Sequence, residues 1–538
     1  MADTPAPADV SASTPADGAL AAVEPAVRGW VAGRGPLRGV TPPADGFSTA
    51  DRDETVDVVI VGVGPGGAAC ARQLAMAGAR VLLLEEGPPK SRFARNQGNA
   101  MRYHMQEGGT MVATGAMMPI ASGRGLGGGS LINSAIAWRC PDDVLSGWVD
   151  RIHDDRFAPA QMKPVYDELW ELLGIWSTRL EISGRNNDMI VKGVRALGLD
   201  GGYLERATPG CVGCGVCYFG CPTGGKASVD TNLLVEAYEF GARILADTKV
   251  TEILVEGGRA VGVRGRMFDP DTGVSGGAVT VRAGKVVIAS GGIGTPRLLH
   301  VSGIADALGP AVGKGLHLHP GNAVIGVCDE PVEWWKGATQ GAYFHPPDLH
   351  GVLPHTFSAP PEACLAVMGA VGADAKKLLA EFPYYCGCVV MVSDTGEGTV
   401  SAWPDGRARI HYDFAATDID RFKKGMWWTA KVLFAGGARE VTAPVRSLGR
   451  FTNADDLATA LADRPLTDFT LYASHPMSTC RMGVDPATSV IRPDGRTHAV
   501  EGLYLSDSSI FPTSLGVNPS LTTMAMATIL GRGIARNG

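Results

Sequence analysis

Continuous apolar runs, rather than strict alternation of apolar and polar residues, mark the strands that this chain predicts. The run VDVVIV at 56–61 is rich in β-branched residues and predicts a strand covered on both faces. A helical stretch at 68–77, a glycine and a second apolar run at 80–84 follow it, which together predict a β-α-β unit. The run GKVVIAS at 284–290 predicts a further buried strand. The pattern is therefore typical of an α/β fold.

The texture differs at the start of the chain and again in its second half. Residues 1–54 consist largely of Ala, Pro, Asp and Gly and predict a flexible leader, because they offer little apolar surface to offset the entropy of ordering. Residues 331–465 contain paired aromatic residues among proline-rich turns, such as Trp334 with Trp335 and Trp427 with Trp428. We expect this second stretch to form a substrate-facing domain.

Composition excludes some classes of function. A chain of 538 residues is too long for a single hydrophobic core, so two or more lobes are expected. A formal net charge of -7 provides no basic excess for binding nucleic acid. Uninterrupted apolar runs are too short to predict a transmembrane helix. The acidic N-terminus does not resemble a secretory signal, so we expect residence in the cytoplasm.

A glycine-rich turn follows the first predicted strand. The segment GVGPGG at 62–67 fits G-x-G-x-x-G, in which Gly62 allows the tight turn, Gly64 lets backbone N–H groups approach a pyrophosphate, and Gly67 permits close packing of helix and strand. Glu85 ends the second strand, where an acid accepts hydrogen bonds from a ribose. The unit predicts dinucleotide binding, but this motif alone does not separate FAD from NAD.

Several further blocks carry a family resemblance. GRGLGGGSLIN at 123–133 resembles the second glycine-rich signature of the glucose-methanol-choline (GMC) oxidoreductase family, and GGIGTPRLL at 291–299 is similar to another of its signatures. HPMSTCRMG at 475–483, LSDSSIFPT at 505–513 and the Asn-Pro pair at 518–519 resemble the most diagnostic region of the family. The blocks occur in the family's order, and the resemblance implies FAD rather than NAD.

The resemblance also implies an architecture and a set of FAD contacts. It implies a Rossmann-like FAD-binding domain built from discontinuous segments and an α+β substrate domain with an antiparallel sheet. On this basis we divide the chain into FAD-binding segments 55–140, 226–330 and 466–538, a substrate or cap segment 141–225, and the substrate domain 331–465. The implied cofactor contacts beyond the first turn are Gly128, Ser130, Asn133, Val250 and Asp507.

The implied catalytic pair is His475 with Asn518. Removing a hydride from a CH–OH carbon is easier once the hydroxyl proton has left, and a neutral histidine can accept that proton near pH 7. Asn518 can donate a hydrogen bond to the developing alkoxide. The resemblance thus implies oxidation of an alcohol to an aldehyde or ketone, with electrons passed from the flavin to an external acceptor. The alternatives are an oxidase of hydrophobic alcohols that reduces oxygen, and a lyase that keeps a non-redox FAD.

Other histidines and cysteines raise the question of metal. His317 and His319 carry no acid nearby in sequence and are expected to be packed rather than metal-bound. Residues Cys211, Cys214, Cys217 and Cys221, followed by a proline, reproduce the ferredoxin spacing. This favours a [3Fe-4S] or [4Fe-4S] cluster that could relay electrons to an acceptor protein, and some dehydrogenases and long-chain alcohol oxidases of the family resemble this chain in having a cysteine-rich insert. A four-thiolate zinc site and a metal-free thiol-rich loop remain open.

Overall fold

A computed structural model describes residues 41–89 and 97–536. Of the predicted leader, residues 1–40 lie outside the described part. Regular structure begins earlier in the chain than predicted. Asp45 forms a β-bridge with Leu245, and the first strand begins at Arg52.

Twenty strands fall within the described ranges. They are β1 (Arg52–Val61), β2 (Val81–Leu84), β3 (Val112–Gly115), β4 (Met118–Pro119), β5 (Trp176–Ser177), β6 (Asp200–Tyr203), β7 (Glu205–Arg206), β8 (Arg243–Leu245), β9 (Thr248–Glu256), β10 (Arg259–Phe268), β11 (Ser275–Ile288), β12 (Lys314–Leu316), β13 (Gly321–Val327), β14 (Ala342–His345), β15 (Val352–Thr356), β16 (Tyr385–Val392), β17 (Gly398–Ala402), β18 (Ala408–Tyr412), β19 (Glu440–Thr442) and β20 (Leu503–Leu505).

Fourteen α-helices lie in the same described ranges. They are α1 (Pro65–Met76), α2 (Gln97–His104), α3 (Asp142–Ile152), α4 (Pro159–Leu172), α5 (Leu180–Ser183), α6 (Arg185–Ala196), α7 (Leu233–Glu239), α8 (Gly291–Val301), α9 (Ala305–Leu308), α10 (Pro361–Met368), α11 (Gly372–Glu381), α12 (Ala416–Gly436), α13 (Ala454–Ala462) and α14 (Ser520–Arg536). Within residues 41–89 and 97–536, none of the helices is long and apolar enough to cross a membrane.

A seven-stranded sheet forms the first layer of the fold. Its order is β8-β2-β1-β11-β10-β9, with β20 also paired to β11. The pairs around β1 and β2 and the β11–β20 pair are parallel, whereas β9, β10 and β11 pair antiparallel. These strands come from widely separated parts of the chain. The sheet therefore brings distant residues to the carboxyl ends of β1, β11 and β20, where ligands bind in open α/β sheets.

Helix α1 starts at Pro65, three residues before the predicted start. Proline suits the first helical position because its fixed φ matches the helix and its missing N–H would be unpaired there in any case. Position 66 in the first turn requires glycine, because a Cβ atom there would meet the carbonyl oxygen of Ser506 at 2.0 Å. The first turn of α1 contains no acidic residue, so its N-terminus favours an anion.

The second lobe is built on antiparallel pairing. A six-stranded sheet has the order β19-β13-β16-β15-β14-β6 and is antiparallel throughout. Helix α12 packs across it so closely that a Cβ atom on Gly425 would meet Val390 at 2.7 Å and Val352 at 2.8 Å. A separate five-stranded sheet has the order β12-β17-β18-β3-β4. The prediction of an α/β nucleotide-binding fold combined with an antiparallel substrate sheet is confirmed.

Candidate active site

One cavity of about 520 Å³ collects most of the predicted site residues. It is bordered by the carboxyl end of β1 on one side and by Val389 and Met391 of β16 on the other. The predicted residues that line it are Gly62, Gly64, Glu85, Gly128, Asn133, Val250, His475, Asp507 and Asn518. Gly67 and Ser130 do not line this cavity. Their contacts hold together the segments that form its walls.

The turn after β1 is a cradle that side chains would fill. A Cβ atom on Gly62 would lie 2.4 Å from the carbonyl oxygen of Ala289, and one on Gly67 would lie 2.0 Å from that of Gly62. A Cβ atom on Gly128 would approach the Cα atom of Gly64 at 2.8 Å. Of the glycines in this turn, Gly64 alone has space for a Cβ atom, whose nearest neighbour would be 3.8 Å away. That space is part of the cavity.

The predicted ribose-binding acid also holds three backbone segments together. Glu85 accepts hydrogen bonds from the N–H groups of Val63 at 3.0 Å, Gly87 at 3.0 Å and Gly125 at 2.9 Å. Burial, reinforced by the neighbouring Glu86 carboxylate, raises the pKa of Glu85 to about 7 against the lowering effect of those three N–H groups. Its carboxylate therefore fixes the first glycine turn against the loop that carries the second.

Asp507 and Ser130 organise the opposite rim in the same way. The Asp507 carboxylate accepts from the N–H groups of Gly291 at 2.9 Å and Ser509 at 2.7 Å, and from the hydroxyl of Thr295 at 2.5 Å. Burial raises the pKa of Asp507. The Ser130 hydroxyl donates to the Gly127 carbonyl at 2.7 Å and accepts from the Val229 N–H at 3.1 Å, which ties the second glycine-rich loop to a distant segment.

The two residues predicted to be catalytic meet at the inner end of the cavity. His475 Nε2 lies 3.2 Å from Asn518 Nδ2, although the two residues are 43 positions apart. Asn518 Oδ1 is buried and has no hydrogen-bond partner among the described residues. A polar oxygen left in this state costs free energy unless a ligand or water satisfies it, so the pair has capacity to bind a further polar group.

Burial keeps the histidines at this end neutral. It lowers the pKa of His475 well below 6.5, and the neighbouring His319 and His355 rings lower it further. Burial also lowers the pKa of His319 and that of His355 to about 4. At neutral pH all three rings are therefore uncharged and able to accept a proton.

The cavity wall facing the substrate lobe is uncharged and largely apolar. The charged side chains among the described lining residues are Glu85, Glu86, Arg297 and Asp507. Glu85 contacts Val63 and Asp507 contacts Gly291, so Glu85 and Asp507 both lie beside glycine turns. The residues that the substrate lobe and the cysteine segment contribute are Tyr218, Phe219, Gln340, His355, Phe357, Ser358, Ala359, Pro360, Ala363, Val389 and Met391.

Sequence reasoning missed the residues that lie behind His475. The rings of His319 and His475 approach with their Nδ1 atoms 3.3 Å apart, and His317 Nδ1 lies 3.7 Å from the buried carboxylate of Asp394. The sequence shows no acid near His317 and His319, but the fold brings Asp394 next to them. The acid comes from more than 70 residues further along the chain, so only the spacing of the short HLHP segment could have drawn attention to these histidines.

The cysteine segment lies beside the cavity but does not form a metal-binding group. Cys211, Cys214, Cys217 and Cys221 are free, partly buried thiols around a separate void of about 10 Å³. Among the described residues, no group of three or more His, Cys, Asp or Glu side chains is arranged to hold a metal ion. The iron–sulfur cluster predicted from the spacing is therefore not supported by the described residues, and no electron-transfer step is derived from these thiols.

The contacts of this segment give it a role in shaping the cavity. The buried Arg206 donates from Nη2 to Cys217 Sγ at 3.3 Å, and the buried Lys226 donates from Nζ to the Cys217 carbonyl at 3.3 Å. Lys226 also donates to the carbonyls of Leu131 and Asn133 at 2.8 Å each, on the second glycine-rich loop. Tyr218 and Phe219, which follow Cys217 directly, line the main cavity.

The metal content of the purified protein distinguishes these two roles. From the arrangement of the thiols we expect protein purified without oxygen to carry flavin without stoichiometric iron. In Cys217→Ser we expect weaker substrate binding with flavin retained, because the residues next to Tyr218 and Phe219 would shift. Iron and acid-labile sulfide present in the native protein, and lost together in Cys217→Ser, would contradict this and restore the cluster predicted from the spacing.

Comparison with known proteins identifies relatives along nearly the whole chain. Models of the GMC oxidoreductase family match residues 101–321 and 394–527, and a model of an FAD binding domain matches residues 55–106. An uncharacterized GMC-type oxidoreductase of Mycobacterium tuberculosis is 34% identical over 478 residues, covering 88% of this chain and 74% of that protein. Long-chain-alcohol oxidase FAO4A of Arabidopsis thaliana is 28% identical, covering 88% of this chain and 68% of that protein.

Solved structures share the fold at lower identity. Pyridoxine 4-oxidase from Mesorbium loti has a TM-score of 0.66 and 18% identity, covering 88% of this chain and 98% of the other. A formate oxidase of Aspergillus oryzae with a single substitution has a TM-score of 0.69 and 15% identity, covering 91% of this chain and 99% of the other. At these identities the likeness concerns the fold alone.

Proposed function

Since the chain belongs to the GMC oxidoreductase family and is an FAD-dependent oxidoreductase, we propose that it oxidises the CH–OH group of an uncharged, largely apolar alcohol to an aldehyde or ketone. The observation that carries this proposal is the neutral His475, which meets Asn518 at 3.2 Å in a cavity whose substrate-facing wall bears no full charge at neutral pH. Such a site can bind a hydroxyl group and accept its proton, and it offers no counter-charge for an ionic substrate.

The cradle is proposed as the site that holds FAD. Gly62, Gly64 and the N-terminus of α1 would bind the pyrophosphate, and Glu85 the ribose. The loop with Gly128, Ser130 and Asn133 would border the flavin, with Asp507 near its pyrophosphate or ring and Val250 at the adenine. We keep the division predicted from the sequence, in which segments 55–140, 226–330 and 466–538 form the FAD-binding domain and residues 141–225 and 331–465 supply the cap and the substrate domain.

His475 and Asn518 are proposed as the residues that act on the hydroxyl group. His475 Nε2 would accept the hydroxyl proton, because burial keeps the ring neutral at pH 7. The amide of Asn518 would donate to the hydroxyl oxygen and stabilise its developing negative charge. When bound, FAD supplies the acceptor for the hydride.

The lining of the cavity argues for an apolar substrate. A carboxylate substrate would need a cation near His475, and the described lining residues on that side provide none. The side chains of Phe219, Phe357, Val389 and Met391 offer apolar contacts instead. The long-chain-alcohol oxidases among the relatives are named for substrates of this kind, which supports the proposal.

We expect kcat/KM for primary alcohols to rise with chain length by up to about fourfold per methylene until the cavity is filled, because burying one CH₂ contributes about 0.8 kcal/mol. Steady-state assays from ethanol to dodecanol with an artificial electron acceptor measure this slope. Hexoses and choline serve as matched controls for polar and charged hydroxyl compounds. A higher kcat/KM for either control than for hexanol would contradict an apolar alcohol as the substrate.

Oxygen is our second candidate for the electron acceptor, beside a separate acceptor molecule. Relatives named as long-chain-alcohol oxidases favour oxygen. Mixing the alcohol-reduced protein with oxygen and following flavin reoxidation and peroxide separates the two acceptors. Flavin that is never bleached by any alcohol of the series would instead favour a lyase with a non-redox FAD.

A further inference from the structure

A line of buried and partly buried side chains leads from His475 through His319 and Ser514 to the carboxylate of Asp394. His319 Nδ1 lies 3.3 Å from His475 Nδ1, and His319 Nε2 lies 3.0 Å from the hydroxyl of Ser514. That hydroxyl donates to Asp394 Oδ1 at 3.0 Å. Asp394 also accepts from the N–H groups of Leu318 and His319 and from the Tyr412 hydroxyl, and its side chain has no exposed surface.

The backbone at His319 is held in an unusual conformation by these contacts. Its φ of +50° lies in the left-handed region, which is strained for a non-glycine residue. In this conformation the His319 N–H points at Asp394 while its ring meets His475. The surrounding structure therefore maintains a strained residue at the one position that connects the carboxylate to the proposed base.

His319 Nε2 has two neighbours with opposite requirements. The backbone N–H of Gly516 donates to it at 3.1 Å, which requires an unprotonated Nε2. The Ser514 oxygen, whose own hydrogen is donated to Asp394, offers a lone pair that requires a protonated Nε2. A neutral imidazole has one protonated and one unprotonated nitrogen, so only one of the two neighbours can be satisfied at a time.

The outcome at His319 decides which nitrogen of His475 is free. If Gly516 prevails, His319 carries its proton on Nδ1 and donates to His475 Nδ1, so His475 holds its own proton on Nε2 and cannot accept another there. If Ser514 prevails, His475 Nδ1 donates to His319 and His475 Nε2 is unprotonated, which the Asn518 Nδ2 donor 3.2 Å away also requires. In this state Nε2 can accept the hydroxyl proton. The second state leads without a break from the substrate to Asp394.

Asp394 supplies the charge that favours the second state. Burial alone would raise its pKa, but His317, His319 and the backbone N–H of Leu318 hold the pKa at about 2, so the group is ionised. The other titratable groups facing the histidine pair are His317, His355, whose pKa burial lowers to about 4, and Tyr412, whose pKa burial raises. Glu397 lies 3.9 Å beyond His317 and forms an ion pair with Arg481.

From this geometry we propose that His319, Ser514 and Asp394 form a positioning relay that keeps His475 in the tautomer with a free Nε2 and stabilises the positive charge it acquires with the substrate proton. This inference rests on the proposed role of His475. In the proposed step the O–H proton would move to His475 Nε2, and FAD, when bound, would supply the acceptor for the hydride. The relay itself would therefore change no oxidation state and only share one added proton.

The test combines ring tautomers with rates in flavin-loaded protein labelled with ¹⁵N-histidine. His475→Gln identifies the His475 ring signals in long-range ¹H–¹⁵N spectra, which distinguish protonated from unprotonated nitrogen. In Ser514→Ala we expect the proton of His475 to move from Nδ1 to Nε2, and flavin reduction by alcohol to slow about tenfold with the alcohol Kd unchanged. Ser393→Ala is the matched control, because its hydroxyl lies 3.2 Å from that of Ser514 without contacting either histidine.

Asp394→Asn provides a second, independent variant. Removing the carboxylate that favours the charged imidazolium lowers the pKa of His475, so the rising acid limb of the rate profile should move to lower pH while the maximal rate falls. Unchanged His475 tautomers in Ser514→Ala, or equal losses in Ser393→Ala, would overturn the relay. Native protein whose flavin no alcohol reduces would overturn the proposed function instead, while the tautomer spectra would still report on the relay.

Discussion

His475→Ala should retain FAD but reduce its flavin with alcohol about 10²- to 10⁴-fold more slowly, which is the contribution expected of a positioned general base. The ring lines the cavity but makes none of the contacts that hold the glycine turns together, so its loss should not release the cofactor. Anaerobic stopped-flow mixing with a saturating alcohol, followed at the flavin absorbance, measures the rate. Near-native reduction in His475→Ala would remove this residue from the chemistry.

Two further variants sharpen the result. His350→Ala is the matched control, because that histidine is exposed and lies outside the cavity lining. Asn518→Ala should cost less than His475→Ala, because it removes a hydrogen bond to the alkoxide but leaves the base in place. A double variant no slower than His475→Ala would show that the two residues act as one unit.

The pH dependence follows from the direction of the shift. Burial lowers the pKa of His475 well below 6.5, and a general base works only while it is neutral. The rate in the native protein should therefore be flat through neutral pH and fall only in acid, below the ordinary histidine value. A half-maximal rate at or above pH 6.5 would show that the site is more polar than its burial implies.

Local signals predicted the first part of the fold well. The strand at Val56–Val61, the turn at Gly62 and the second strand before Glu85 each depend on residues within a few positions of one another, so the sequence alone specifies them. Two starts were misplaced: β1 begins at Arg52, four residues before the predicted run, and α1 begins at Pro65. Gly66 and Gly67 are typical of a loop until their contacts with Ser506 and Gly62 are known.

Long-range contacts explain what the sequence did not reveal. His475 and Asn518 were identifiable through a family motif, whereas His319, Ser514 and Asp394 come from three separate segments with no shared pattern. The spacing of the four cysteines predicted a cluster, yet the contacts of Cys217 with Arg206 and Lys226 relate the segment to the cavity wall. Spacing defines which groups can converge, and packing decides whether they do.

Gly64→Ala separates the fold from cofactor binding, because this glycine is the one in its turn where a Cβ atom has room. Gly64 has an ordinary extended backbone, φ -79° and ψ -171°, and its added Cβ atom would meet nothing closer than 3.8 Å. The methyl group would instead occupy the space proposed for the pyrophosphate. We expect unchanged thermal unfolding of the flavin-free protein and FAD binding weaker by about 5- to 150-fold, equivalent to an overpacking cost of about 1–3 kcal/mol.

Gly62→Ala and Gly147→Ala are the two control variants for this prediction. Gly62 has φ +100° and its Cβ atom would clash with Ala289, so this substitution should lower the unfolding temperature even without FAD. Gly147 lies in α3 with nothing within 4 Å of an added Cβ atom, so its variant should keep both stability and FAD affinity. Fluorescence titration with FAD and thermal unfolding of the flavin-free proteins provide both readouts. Native FAD affinity in Gly64→Ala would show that the pyrophosphate does not lie against this turn, because a methyl group there would otherwise occupy the space of the pyrophosphate.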